Sequence, residues 1–297
     1  MCGIVGYVGQ RAAQSVLVDG LRTLEYRGYD SAGLAIVDGD QMQVAKAQGK
    51  LSRLTALLDE TPLPGNVGIG HTRWATHGVP SDANAHPHSD PTGDFVVVHN
   101  GIIENYLALK EHFVELGHDF GSDTDTEVLA YVIAEEYDGD LKNAVRKAMA
   151  RATGAYALVA MTAKEPGRIV AARMISPLIV GLGSDETFLA SDIPAVLPYT
   201  NNILVVEDGE IVDVTADGAN IETLDGTPVE RDPFVVDWDP GRAEKNGYDH
   251  FMLKEIYEQP DVIEQTIGGR ISSDGSVELD GVDWGEDFAV NLEKIWI

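Results

Sequence analysis

Apolar and polar positions alternate between two periods along the chain. Residues 2–8 form a short apolar run that ends at Gly9, the pattern of a buried strand. Leu17, Leu21 and Leu24 then recur at helical spacing and predict a helix over about residues 10–25. Residues 33–37 and 42–47 flank Asp38-Gly39, a tight-turn dipeptide, and predict a hairpin. Leu51, Leu54, Leu57 and Leu58 mark a short helix. Residues 95–99 are a β-branched run that meets Asn100-Gly101, again a turn pair. Leu109, Phe113 and Leu116 predict a helix stopped by Gly117, and Thr124-Asp125-Thr126-Glu127 fits a capping box opening another. Residues 140–152 read as a further helix.

Beyond Ala155 the pattern is mostly strands: 155–162, 168–173, 178–182, 203–206 and 211–214. Asp208-Gly209 and Asp225-Gly226 are read as hairpin turns. Many strands, few helices and no regular strand–helix alternation predict an α+β fold with antiparallel sheets. Residues 232–248 carry Pro233, Pro240, Gly241 and Gly247 with few apolar positions in register, which predicts a linker. The expected organisation is one domain over 1–231, the linker, and the start of a second domain over 249–297, whose residues 252–267 are helical. The final run, 292–297, has neither turn nor polar cap and resembles a strand cut short, so the chain is expected to be part of a longer protein.

Composition narrows the function. Asp and Glu number 49 against 21 Lys and Arg, for a net charge of −28. Such a field disfavours nucleic acid and anionic membrane surfaces as partners. The acids are scattered rather than gathered in a tail, which fits two readings: an ordinary acidic surface, or adaptation to high salt, where screening removes the self-repulsion. No apolar stretch reaches the length of a membrane-spanning helix, and the start lacks the pattern of a signal peptide, so a cytoplasmic location is expected.

The chain has one cysteine, and it is the second residue. A lone cysteine is ordinarily a small buried hydrophobe. Here another role is open. Attack on an amide carbonyl needs a thiolate and therefore a base. If Met1 is removed, the α-amine of Cys2 lies one side chain away, with an ordinary pKa of about 7.7–8.0. It can take the thiol proton and return one to departing ammonia. A tetrahedral intermediate needs oxyanion donors, and Asn100 with Gly101 could supply an amide and a backbone N–H; a plain turn is the alternative. A bidentate arginine suits a substrate carboxylate and an acid suits its ammonium. Arg73 and Asp125 are candidates that spacing alone does not select.

Five histidines, His71, His77, His86, His88 and His99, could suggest a metal centre. They share no helix face and have no cysteine among them, so hydrogen-bonded structural histidines, with no metal and no cofactor, are expected. Gly65, Gly68 and Gly70 read as a loose glycine loop, but no Lys-Ser/Thr follows to make it a phosphate cradle.

Several segments together resemble one family: MCGIVG at 1–6, LEYRGYDSAGLA at 24–35, HTRWATHG at 71–78, NAHPH at 84–88, HNGIIEN at 99–105 and SDTDTEV at 122–128. These are similar to the glutaminase domain of the glutamine–fructose-6-phosphate aminotransferases, which are class II amidotransferases with an N-terminal nucleophile. KEIYEQP at 254–260 and GRI at 269–271 resemble the opening of the family's sugar-isomerase half. The start alone is shared with other amidotransferases; HTRWATHG and KEIYEQP are not.

The resemblance implies a four-layer αββα sandwich, two antiparallel sheets between helices. It implies Cys2 as nucleophile and Asn100 with Gly101 as oxyanion hole. It also implies Arg73 on the α-carboxylate of L-glutamine with Thr76 and His77 beside it, and Asp125 on the α-ammonium. Trp74 would lie in a loop closing over glutamine; Arg27, Gly28 and His86 would be structural parts of the site. Fructose 6-phosphate would be a partner of the full-length protein only, which would be a homodimer. Two rivals remain: the glutaminase of another class II amidotransferase, against which KEIYEQP speaks, and a non-catalytic module, which should have lost Cys2, Arg73 or Asp125.

Overall fold

The computed structural model describes residues 2–237, 247–272 and 274–277. In chain order the first part holds β1 (Gly3–Val8), α1 (Ala13–Thr23), β2 (Ser31–Asp38), β3 (Gln41–Gln48), α2 (Leu51–Glu60) and β4 (Val67–Arg73). Next come β5 (His88–Ser89), β6 (Phe95–Ile103), α3 (Tyr106–Glu115), α4 (Glu127–Glu136), α5 (Leu141–Arg151) and β7 (Gly154–Thr162). The remaining strands are β8 (Ile169–Met174), β9 (Ile179–Leu182), β10 (Thr187–Ala190), β11 (Asn202–Val205), β12 (Glu210–Thr215), β13 (Gly218–Thr223), β14 (Pro228–Val229) and β15 (Phe234–Val235). A further helix, α6 (Phe251–Ile267), follows.

The strands form two antiparallel sheets. One runs β15-β11-β9-β10-β1-β4-β2-β3 and the other β14-β13-β12-β8-β7-β6-β5. A core shared by both, including Ile4, Ile69, Val96, Val98, Val159 and Leu189, fills the space between them. α1 and α2 cover the outer face of the first sheet through Leu17, Leu21, Leu54 and Leu58. α4 and α5 cover the second through Val128, Val132, Leu141 and Val145. The result is the α+β fold with antiparallel sheets that the residue pattern predicted, in the four-layer sandwich that the resemblance implied.

Four local expectations are corrected. The glycines at 68 and 70 lie in strand β4, inserted between β1 and β2, not in a loop. A Cβ on Gly68 would stand 2.9 Å from Leu17 Cδ1, and one on Gly70 3.0 Å from Leu21 Cδ1. The glycines thus let α1 lie close against the sheet, which hides the strand's apolar signature. Asn100-Gly101 is not a turn: β6 runs straight through it, with Asn100 opposite Ala157 and Gly101 opposite Tyr156 on β7. Gly101 has φ of +130°, and a Cβ there would meet Ala155 O at 1.9 Å. Asp208-Gly209 does not close a hairpin either, because it joins β11 in one sheet to β12 in the other. Asp225-Gly226, by contrast, does turn β13 back onto β14.

The capping box at 124–127 is the fourth. α4 has Thr126 as its N-cap, with no side-chain cap. Thr124 Oγ1 instead meets Ser122 Oγ at 2.9 Å and His88 Nε2 at 3.1 Å. The Glu127 carboxylate reaches back to the N–H groups of Gly121 and Ser122, at 2.9 and 2.7 Å. The segment is tied down one turn earlier than a capping box would tie it, which fixes Asp125 at the mouth of the helix.

The chain divides into two compact units, Met1–Ala243 and Glu244–Ile297. The first continues past residue 231: Phe234 and Val235 pair with Ile203 and Asn202. The expected linker of 232–248 therefore starts inside the sheet. In the second unit α6 spans the predicted helix and carries Pro260 within it. The terminal run 292–297 lies outside the described residues.

Candidate active site

The site lies where the start of β1, the end of β4 and the middle of β6 come together. β1 and β4 pair with Gly3 opposite Thr72, which brings Cys2 beside Arg73 and Trp74. The main-chain N–H of Trp74 donates to Cys2 Sγ at 3.2 Å. Asn100 donates from Nδ2 to Cys2 O at 3.0 Å. One pocket is lined by Cys2, Arg73, Trp74, Thr76, His77 and Asp125, with His86, His99, Gly101, Thr124 and Thr126 completing it. A second, of about 270 Å³, shares Cys2, Trp74, Thr76 and Gly101 and adds Arg27, Asn100, Ile102, Ser176 and Pro177.

All eleven residues expected at the site line one pocket or the other, except Gly28. Asn100 lines the second rather than the first. Gly28 acts through the backbone: a Cβ there would stand 2.8 Å from Arg73 O, so only glycine lets the 27–30 loop lie against the end of β4. Arg27 is anchored by Ser191 O at 3.0 Å and by Asp192 at 3.2 Å.

Arg73 is buried. Its Nη2 donates to His77 O and, at 3.3 Å, to Gly78 O, while its Nη1 has no partner. A buried guanidinium with an unused N–H group beside a pocket can receive a carboxylate. Asp125 is also buried; it accepts from Ile103 N–H at 2.8 Å and retains lone pairs for a cation. His77 Nδ1 and His99 Nε2 are likewise buried without partners. Burial pushes the Cys2 thiol above its ordinary pKa, although the hydrogen bond from Trp74 opposes it.

The histidines form a buried group. His71 stacks on His86 with ring centres 4.2 Å apart, and His86 meets His88 edge-on at 4.8 Å. Burial, joined by the charges of neighbouring histidines and Arg73, holds His71, His86 and His88 well below the usual histidine pKa, with His71 at about 3. Among the described residues no three His, Cys, Asp or Glu side chains converge to hold a metal.

Sequence reasoning missed Asp30. Its carboxylate accepts from Ala75 N–H and from Ser31 Oγ at 3.1 Å, clamping the loop that begins at Trp74. Tyr29 meets the Trp74 ring edge-on at 5.3 Å. Both lie in the LEYRGYDSAGLA motif, which was the available signal.

The matching family model is the glutamine amidotransferase domain, over residues 71–198. The glutamine–fructose-6-phosphate aminotransferase (isomerizing) of Thermus thermophilus is 56% identical over 280 residues, 94% of this chain and 46% of that one. Its counterpart in Clostridium acetobutylicum is 48% identical over 297 residues, 100% of this chain and 49% of that one. The solved glutamine phosphoribosylpyrophosphate amidotransferase of B. subtilis matches with a TM-score of 0.66 at 29% identity, over 75% of this chain and 49% of that one.

The two-sheet sandwich and these likenesses define a glutamine amidotransferase of the N-terminal-nucleophile fold. Within that class the chain is more similar to the glutamine–fructose-6-phosphate aminotransferases, at 56% and 48% identity, than to the phosphoribosylpyrophosphate enzyme, at 29%. It spans about half the length of the curated relatives it matches.

Proposed function

We propose that this chain hydrolyses L-glutamine to glutamate and ammonia, with Cys2 as nucleophile once Met1 is removed. The observation that carries the reading is the setting of Cys2 Sγ in a pocket that also presents a buried, unpartnered Arg73 N–H edge and the Asp125 carboxylate. Those two groups are complementary to the α-carboxylate and α-ammonium of an amino acid, and they leave its side-chain amide for the thiol.

In the reaction the α-amine of Cys2 takes the thiol proton, and Sγ bonds to the amide carbon. The carbonyl π electrons move to oxygen, where Asn100 Nδ2 and the Gly101 N–H stabilise them. An amide nitrogen has two hydrogens, so one remains for this role beside the bond to Cys2 O. Collapse expels ammonia, protonated by the same amine, and leaves a thioester that water hydrolyses to glutamate. Trp74, about half exposed, and the loop after it cover the bound amino acid.

In a longer protein the ammonia converts fructose 6-phosphate to glucosamine 6-phosphate, in a cytoplasmic homodimer. The likeness to relatives about twice this chain's length, named for that reaction, supports the sugar step. Alone, this chain releases ammonia and makes no amino sugar. The test is glutamate formation by the processed chain alongside a Cys2→Ala variant, with an assay for glucosamine 6-phosphate. Turnover surviving Cys2→Ala, or amino sugar formed by this chain alone, sinks the reading.

A further inference from the structure

His71 takes no part in the chemistry proposed above, and its ring is wholly buried. Its Nε2 lies between two oxygens, His99 O at 3.2 Å and Asn100 Oδ1 at 3.0 Å. A ring nitrogen facing two acceptors must carry its proton. The tautomer is therefore Nε2–H, with the lone pair on Nδ1, which has no partner.

That proton fixes the orientation of Asn100. Oδ1 faces the imidazole, so Nδ2 faces Cys2, where it donates to Cys2 O at 3.0 Å. Turning the amide over would bring two N–H groups together at His71 and two oxygens together at Cys2. Each such buried clash or unmet polar group is unfavourable, because the group has lost water without gaining a partner. The pocket would then offer an acceptor where the oxyanion needs a donor. We infer that His71 is the positioning residue that holds the Asn100 amide donor-side toward Cys2. This inference rests on the Cys2 reading of the site.

The device is independent of pH over the working range. Burial keeps the ring neutral down to about pH 3, aided by the charge of Arg73. The nearby polar groups are His99, Asn100, Arg73 and the stacked His86, and burial likewise keeps His86 and His99 below the ordinary histidine pKa. No carboxylate hydrogen-bonds to the ring to raise it among the described residues. The tautomer is thus selected by the two oxygens alone.

The test compares His71→Leu with His71→Gln. Glutamine can place an amide N–H near the position of Nε2; leucine cannot. The processed parent chain must first hydrolyse glutamine, and failure there strikes the Cys2 reading rather than His71. Given an active parent, His71→Leu should lower kcat on the order of 10²-fold, the scale of losing one oxyanion donor. Its KM for glutamine and its affinity for glutamate should stay within about threefold, since Arg73 and Asp125 are untouched.

Affinity for glutamate γ-semialdehyde should fall in parallel with kcat. The thiol adds across that aldehyde, forming S–C, breaking the C=O π bond and delivering its proton through the α-amine, so the product oxygen occupies the oxyanion position. His71→Gln should recover most of both losses. Unchanged kcat in His71→Leu overturns the inference. So does an equal loss of glutamate affinity, or a His71→Gln variant as impaired as His71→Leu.

Discussion

The main-chain N–H of Trp74 points at Cys2 Sγ from 3.2 Å, so the loop that begins at Trp74 is fastened to the proposed nucleophile. A backbone donor favours the thiolate, but burial of the sulfur outweighs it and pushes the thiol above its ordinary pKa of 9.0. The resting thiol is therefore protonated at neutral pH, and the site needs a base. The sign is testable in chain that retains Met1. Its rate of alkylation by iodoacetamide should climb with pH to a midpoint above 9.0. A midpoint near neutrality would show a thiolate stabilised by some other group.

Asp125→Asn should preserve the fold and weaken glutamine binding. The new amide can still accept from Ile103 N–H, which Asp125 now binds at 2.8 Å, so α4 stays in register. Only the charge opposite the substrate ammonium is lost. An exposed ion pair contributes under ~1 kcal/mol, but breaking a desolvated one costs about 3–5. Asp125 is buried, so KM should rise roughly 10²-fold or more at nearly constant melting temperature. An unchanged KM removes Asp125 from the site.

The limits of the sequence reading show at particular glycines. Helices with a clear apolar stripe, such as α1 and α5, were legible because periodicity reports the face that packs. β4 was not: its glycines are there to admit Leu17 and Leu21 from α1, a relation that exists only after folding. Asn-Gly at 100–101 carries a turn's composition but answers to a contact with Ala155 O, more than fifty residues away in sequence. Cys2 stood out because the chemistry proposed for it depends on chain position. Arg73 and Asp125 were separable from other arginines and aspartates only by family resemblance. His71 was read as merely structural, since only three-dimensional placement reveals Asn100 Oδ1 beside it.

Gly101→Ala should disable the protein through its backbone. A Cβ at φ +130° is strained, at about 1–3 kcal/mol for such conformations. It would also press to 1.9 Å on Ala155 O, so β6 and β7 must separate. The melting temperature should fall by roughly 2–4 °C per kcal/mol, several degrees at least, and glutamine turnover should be lost. Gly167→Ala is the control: nothing lies within 4 Å of its added methyl group, and melting should stay within about a degree. Equal melting of the two variants would refute the close approach.

The net charge of −28 gives a salt prediction. If the acidic surface is an adaptation to high salt, self-repulsion should weaken as the screening length drops from ~10 Å at 0.1 M to ~3 Å at 1 M. The melting temperature should then rise steadily over that range, equally in NaCl and KCl. A flat or falling curve leaves an ordinary acidic protein.

Removal of Met1 decides the mechanism. With Met1 attached, the nitrogen of Cys2 is an amide without a basic lone pair, although every side chain of the site is present. The alternatives near the sulfur are poor. His86 and His99 line the same pocket, but burial holds both below the ordinary histidine pKa, making them weak bases. A freed α-amine, at about 7.7–8.0, is matched to the task. General-base assistance is typically worth ~10²–10⁴ in rate, so chain that keeps Met1 should hydrolyse glutamine at least 10²-fold more slowly than processed chain. The two forms can be prepared separately, verified by intact mass and compared in one glutamate assay. The processed form should also lose activity as pH falls through the amine's range, because a protonated amine cannot accept from the thiol. Equal rates with and without Met1 would mean that another group deprotonates Cys2. The buried His99, whose Nε2 has no partner, would then be the first candidate to replace.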